Sequence, residues 1–134
     1  MEAAIIRTLL DASAVAEFVD DRVTPVVLDQ NGGFPAVVVC RISGGDDMHM
    51  QGPSGLREGR IQVDVYGRQA EGYAAIKAAA GAVRGVLNGL RATVDNTTIQ
   101  AAFCDSERDS IEDTGADRLL RVSMDFTVWA GSAS

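Results

Sequence analysis

Thirteen consecutive residues near the C-terminus, Asp117 to Trp129 (DRLLRVSMDFTVW), alternate almost without fault. Leu120, Val122, Met124, Phe126 and Val128 fall on one side, and Arg121, Ser123, Asp125 and Thr127 on the other. A period of two sends successive side chains to opposite faces, so the segment suits a strand with one buried and one wet face. Such alternation belongs to antiparallel sheets covered on one side only. It therefore constrains the fold more than any other feature of the chain.

Other segments follow the same logic. Ile61, Val63 and Val65 alternate with Gln62, Asp64 and Tyr66, which predicts a strand over Arg60–Tyr66. Ala36–Ser43 (AVVVCRIS) is apolar on both faces until Arg41 and predicts a central strand. A turn at Asp95-Asn96 leads into a strand from about Thr98 to Arg108, and a turn over Ile111–Asp117 joins it to the alternating strand as a hairpin. Between Asp20 and Pro35, Pro25, Asn31, Gly32, Gly33 and Pro35 leave room for only a short extended piece and a turn.

Two stretches carry helical spacing. In residues 2–18, Ile6, Leu9, Leu10, Val15 and Phe18 recur at three to four, with a break near Asp11 where Asp11 or Ser13 can cap a second piece. In EGYAAIKAAAGAVRGVLNGL, the positions Tyr73, Ile76, Ala80, Val83 and Leu87 form one stripe. Small residues there, Gly81 and Gly85 among them, allow a close approach to a sheet, and Asn88-Gly89 supplies a stop. The order predicts an α+β domain over residues 1–134: a mostly antiparallel sheet of about four to five strands, with two main helices on one face.

Composition excludes several classes of function. Twelve basic against nineteen acidic residues give a net charge of −7, so the surface as a whole repels nucleic acid. No apolar run approaches the roughly 20 residues that cross a bilayer, and MEAAIIRTLL does not read as a signal peptide, so synthesis in the cytosol and no membrane are expected. Cys40 and Cys104 lack the spacing of a metal or redox pair and read as reduced, buried thiols.

The chemistry-bearing patterns also fall short of a site. QGPSGLREG has glycines but neither the lysine nor the following helix that a phosphate cradle needs. His49 in DDMHM is the sole histidine, too few nitrogen or sulfur donors for zinc. No nucleophile has an oriented base, and although Glu107 and Asp109 share a strand face, Arg108 and the acidic turn around them read as solvated. Catalytic, cofactor and metal residues are accordingly none. Residues 105–117 (DSERDSIEDTGAD) contain six acids and one arginine, which suits a soluble hairpin tip or a negative surface in an assembly, one that pairs with a basic neighbour or lines a passage for DNA.

Two segments taken together, GPSGLREGRIQVDVYG and SERDSIEDTGADRLLRVSMDFTVW, resemble the tail completion, or tail terminator, proteins of long-tailed bacteriophages and related prophage particles. The resemblance covers most of the chain through Arg22, Pro35, Gln62, Val63, Gly115, Ser123, Phe126 and Trp129, while Thr24 and Ala36 stand where aromatics are expected. It implies a structural protein of the virion, with no reaction and no cofactor, made in the host cytoplasm and placed at the tail neck. Six copies would form a ring that caps the tail tube and meets the head-closure or connector protein, and DNA would pass through without specific binding. The expected assembly residues are Gly52, Pro53, Ser54, Gly55, Leu56, Arg57, Arg60, Asp64, Glu107, Arg108, Asp109, Arg121 and Asp125, with residues 44–59 as a flexible arm. The alternatives are another neck component, such as a head-closure or connector subunit, or a small α+β ligand-binding module.

Overall fold

The computed structural model describes residues 2–28, 33–44, 57–94, 96–113 and 118–132. Three α-helices, α1 (Glu2–Asp11), α2 (Ser13–Val19) and α3 (Tyr73–Leu87), accompany six strands. These are β1 (Val23–Pro25), β2 (Ala36–Gly44), β3 (Arg57–Arg68), β4 (Ala92–Val94), β5 (Thr97–Asp113) and β6 (Arg118–Ser132). One sheet in the order β1-β2-β3-β6-β5-β4 takes them all and curls into a half-barrel.

This corrects the expected architecture. The sheet has six strands instead of four or five, and it is mixed, because β1 runs parallel to β2 through Val23↔Val37 and Pro25↔Val39. The short extended piece expected between Asp20 and Pro35 is β1, whose place in the sheet was not expected, and β4 was missed; each has three residues, too few to show a period. Arg22 fixes the parallel edge: its Nε donates to the Pro35 carbonyl at 2.8 Å, and Val37 N–H donates to the Arg22 carbonyl at 2.8 Å. The Phe34–Pro35 peptide there is cis.

The alternating segment folds as its pattern dictates. Val122, Met124, Phe126 and Val128 of β6 meet Val65, Val63, Ile61 and Gly59 of β3 across an antiparallel ladder. Their apolar side chains form the main core with Val37, Val39, Ile5, Leu9, Val15, Val19, Ile76, Val83 and Leu87. All three helices therefore lie on one face. β2 is apolar on both faces because Val38 turns the other way, onto Tyr66 and Leu119, with Leu28 and Phe34 packed alongside.

Local details depart from expectation at the helices. The break between α1 and α2 falls at Ala12, where no side chain caps α2, and Asp11 instead pairs with Arg7 at 2.8 Å. Ile5 and Leu9 are the innermost residues of α1, one step round from Ile6 and Leu10, which are only half-buried. Tyr73, expected on the inner stripe of α3, is 53% exposed. Gly81 and Gly85 face open space and do not mediate helix–sheet contact. The close approach comes from the sheet: a Cβ on Gly67 of β3 would meet Cγ1 and Cδ1 of the fully buried Ile76. At the other end Gly89 adopts φ +83° directly after α3, as an Asn-Gly stop requires. Both cysteines are free, and half-buried instead of buried.

Candidate assembly surface

With the helices on one side, the opposite face of the sheet carries the polar half of every alternating strand. Asp64 stands opposite Ser123, which stands opposite Arg108; Gln62 meets Asp125, which meets Ser106; Tyr66 meets Arg121, which meets Ser110. A β-bulge at Asp105 reverses the parity of β5, so Arg108 lies on this face while Glu107 and Asp109 turn to the helices. The sequence-expected residues thus divide between two surfaces.

On the open face, Arg108 Nη1 donates to Asp125 Oδ2 at 3.2 Å, and Ser106 Oγ donates to the same oxygen at 3.1 Å. Arg121 Nη1 donates to Glu112 Oε1 at 2.8 Å. Tyr66 against Arg121 holds that guanidinium above its ordinary pKa, and burial raises the Tyr66 phenol. Gln62 Nε2 donates to both oxygens of Asp64, at 3.0 and 2.9 Å. Arg60 lies 3.8 Å from Asp105, which also accepts from Thr127 Oγ1. The face therefore alternates in sign and is not uniformly negative.

Asp64 and Ser123 are buried although they lie on the face away from the described helices. Three buried side-chain atoms in the β6 row, Arg121 Nε, Ser123 Oγ and Asp125 Oδ1, have no partner among the described residues. Buried polar groups are nearly always satisfied, so this row has hydrogen-bonding capacity that the described residues do not use.

On the helix face, the acidic segment is neutralised from α3. Lys77 Nζ donates to Glu107 at 2.8 Å and to Asp109 at 3.3 Å, and Arg84 Nη1 lies 3.4 Å from Glu107. The Tyr73 hydroxyl donates to Asp109 at 2.6 Å. The Glu107 hydrogen bond pushes the Lys77 pKa up to about 12, and the Tyr73 hydrogen bond lowers that of Asp109. The shared face expected for Glu107 and Asp109 is present, and the clamp that occupies it was missed. Its signal was available in α3, where Tyr73, Lys77 and Arg84 follow steps of four and seven.

Of the expected arm at residues 44–59, Gly44 and residues 57–59 are paired strand, with Gly44 opposite Gly59 and Arg57 opposite Ala130. Gly52, Pro53, Ser54, Gly55 and Leu56 lie outside the described residues. Among the described residues no group of three or more His, Cys, Asp or Glu could hold a metal, and no helix is long and apolar enough to cross a membrane.

Comparison with known proteins places this geometry. The family described as tail completion protein gp17 matches residues 3–131. A chain from the virion of a native gene transfer agent particle superposes with a TM-score of 0.76 at 19% identity, covering 98% of this chain and 94% of that one. A second solved chain superposes at 0.52 with 14% identity, over 94% and 91% of the two lengths. These likenesses show the fold. No curated protein matches the chain.

Proposed function

Since the chain belongs to the tail completion protein gp17 family, and is thereby a structural protein of a phage-type tail and its virion, we propose that it closes the tail tube. Six copies form a ring on the last tube layer, stop its growth and present their outer side to the head-closure or connector protein at the neck. DNA crosses the ring without sequence-specific contact. The protein performs no reaction and carries no cofactor.

The observation that carries this reading is the match of the family over residues 3–131 of a 134-residue chain. The division of the sheet supports it. One face is packed by the protein's own helices, whereas the other has buried hydrogen-bonding atoms that the described residues leave without a partner. Arg60, Asp64, Arg108, Arg121 and Asp125 belong to that second face, which is polar and mixed in sign, as the rim of an interface between separately folded subunits is polar. Residues 45–56, with Gly52-Pro53-Ser54-Gly55-Leu56, act in this scheme as an arm that orders against a neighbour.

The experiment is to titrate the protein into a polymerising tail-tube preparation and image the products. Capped tubes whose lengths stop increasing support the reading. Polymerisation that proceeds unchanged at saturating protein refutes it.

A further inference from the structure

The open face of the sheet holds a carboxylate without a cation. Asp64 is the one charged residue buried among the described residues, and its side-chain oxygens accept only from the neutral Gln62 amide. Buried charges are ordinarily paired, because a neutral amide offsets only part of the cost of desolvation. Arg121, one pair further along the β3–β6 ladder, senses the Asp64 charge without bonding to it and commits Nη1 to Glu112.

Free acceptors gather around this charge. Ser123 stands directly opposite Asp64, and Asp125, two residues along β6, stands opposite Gln62, so the four residues form one block on adjacent strands. Ser123 is 1% exposed with an unpartnered Oγ, and Asp125 Oδ1 is likewise buried and unpartnered. Arg108, beside Ser123 on β5, is the guanidinium bonded to this block: its Nη1 reaches Asp125 Oδ2 and leaves Oδ1 free. Two carboxylates thus share one cation. No third His, Cys, Asp or Glu joins them among the described residues, so a metal ion fits poorly. A guanidinium, a planar fork of five N–H donors, suits two carboxylates and a hydroxyl better. The Arg108 side chain is half exposed, which leaves it free to swing aside and admit one.

The chain also carries guanidiniums to spare. Arg57 and Arg91 are exposed and have no ion pair among the described residues. Both lie at one end of the sheet, since Arg57 pairs with Ala130, Ala130 with Ile99, and Ile99 with Ala92, which Arg91 precedes. Neither reaches the block within its own chain. At about 3.3 Å per residue along β3, Arg57 is roughly 23 Å from Asp64 and roughly 17 Å from Gln62, the neighbour of Asp125. Donors and acceptors that match but cannot meet in one chain can meet between two.

We infer that the sheet end carrying Arg57 and Arg91 in one copy packs against the open face of the next, where a guanidinium bonds Asp64, Ser123 Oγ and Asp125 Oδ1. The two surfaces are unlike, so the contact is head-to-tail, and such contacts close into rings when the rotation between copies permits. The inference rests on the ring reading above and specifies which groups join neighbours.

A double-mutant cycle on self-association tests it, read by sedimentation of the free protein and by co-sedimentation with tail tubes. Asp64→Asn removes a buried charge that lacks a cation, and Ser123→Ala a hydroxyl that lacks a partner, so each should keep or raise the Tm. Each should nevertheless raise the concentration needed for self-association at least tenfold. Arg57→Gln or Arg91→Gln should do the same, and that arginine variant combined with Asp64→Asn should associate no more weakly than either alone. Additive losses with both arginines, or Asp64→Asn associating at the parent concentration, would overturn the contact and leave the ring reading standing. Loss of tube binding by Asp64→Asn with self-association intact would assign the cation to the tube protein and overturn a second copy as the occupant. Coupled association into assemblies of another number than six would keep the contact and refute the ring. A parent protein that stays monomeric, alone and at tube ends, would sink both.

Discussion

Among the described glycines, Gly67 is where an added methyl should be most damaging. Gly67 sits in β3 opposite Leu120, beneath α3. A Cβ there would lie 2.7 Å from Ile76 Cδ1 and nearer still to Cγ1, against an ordinary carbon–carbon contact of roughly 3.5–4.0 Å. Ile76 is fully buried, so it can move only by shifting α3 or leaving its rotamer. Overpacking of this kind costs about 1–3 kcal/mol, and the lower chain entropy of alanine offsets about 0.4–1. The expected net loss is about 1–2 kcal/mol.

A double-mutant cycle isolates the cause. Ile76→Ala alone leaves a cavity and should cost about 2–5 kcal/mol. It also removes both clashing atoms and keeps only the Cβ, which would stand 3.6 Å from the new methyl, an ordinary contact. Gly67→Ala should therefore be neutral or stabilising in the Ile76→Ala background, a coupling of about 2 kcal/mol. Urea unfolding of the four proteins with a common m-value measures it. Strict additivity, or a harmless Gly67→Ala in the parent, would show that α3 does not rest on the sheet at this point.

Three further outcomes follow from the same structure. Gly81→Ala and Gly85→Ala, both with open space at the Cβ, should each stabilise α3 by about 0.5–1 kcal/mol in thermal unfolding. Val26 has φ +65° and is 68% exposed, so Val26→Asn should raise stability by about 0.5–1 kcal/mol through relief of a conformation that β-branched residues avoid. Lys77→Met should cost about 0.5–1 kcal/mol at pH 7, less than its pKa shift alone implies because the ammonium is partly solvated. The Lys77 contribution is complete below its ordinary pKa of 10.5 and is lost as pH rises through about 12. That of Asp109, whose pKa is depressed, is present above the ordinary carboxylate range and is lost as pH falls through the lowered value. Urea titrations across pH should follow both limbs in the parent and lose the alkaline one in Lys77→Met.

Legibility in the sequence followed length and period. β6 and the core of β3 were readable because a long alternation admits one solution, and the stripe of α3 was readable from Ile76 to Leu87. β1 was legible only as a short extended piece and β4 not at all, since three residues carry no period and their pairing depends on Arg22 and on the turn after Leu87. The parallel edge made the sheet mixed for the same reason. Tyr73 was misplaced because an aromatic at the right helical spacing resembles core, whereas its hydroxyl reaches out to Asp109. The bulge at Asp105 changes which face each β5 residue occupies, and nothing in the local alternation announces it. It sends Arg108 to the open face and Glu107 and Asp109 toward α3, so a segment that reads as one acidic surface becomes two differently paired halves. Gly81 and Gly85 drew attention as packing glycines, while the glycine that matters for packing is in the strand below.

The central claim is that the sheet's helix face closes on itself and the rest of the protein meets copies of itself at the end of a tube. Counting subunits at capped ends tests it most directly, by native mass measurement of end complexes released from tubes of known composition. The account predicts six copies per end, bound only where growth has stopped. A single copy per end, or copies distributed along the tube wall, would contradict it.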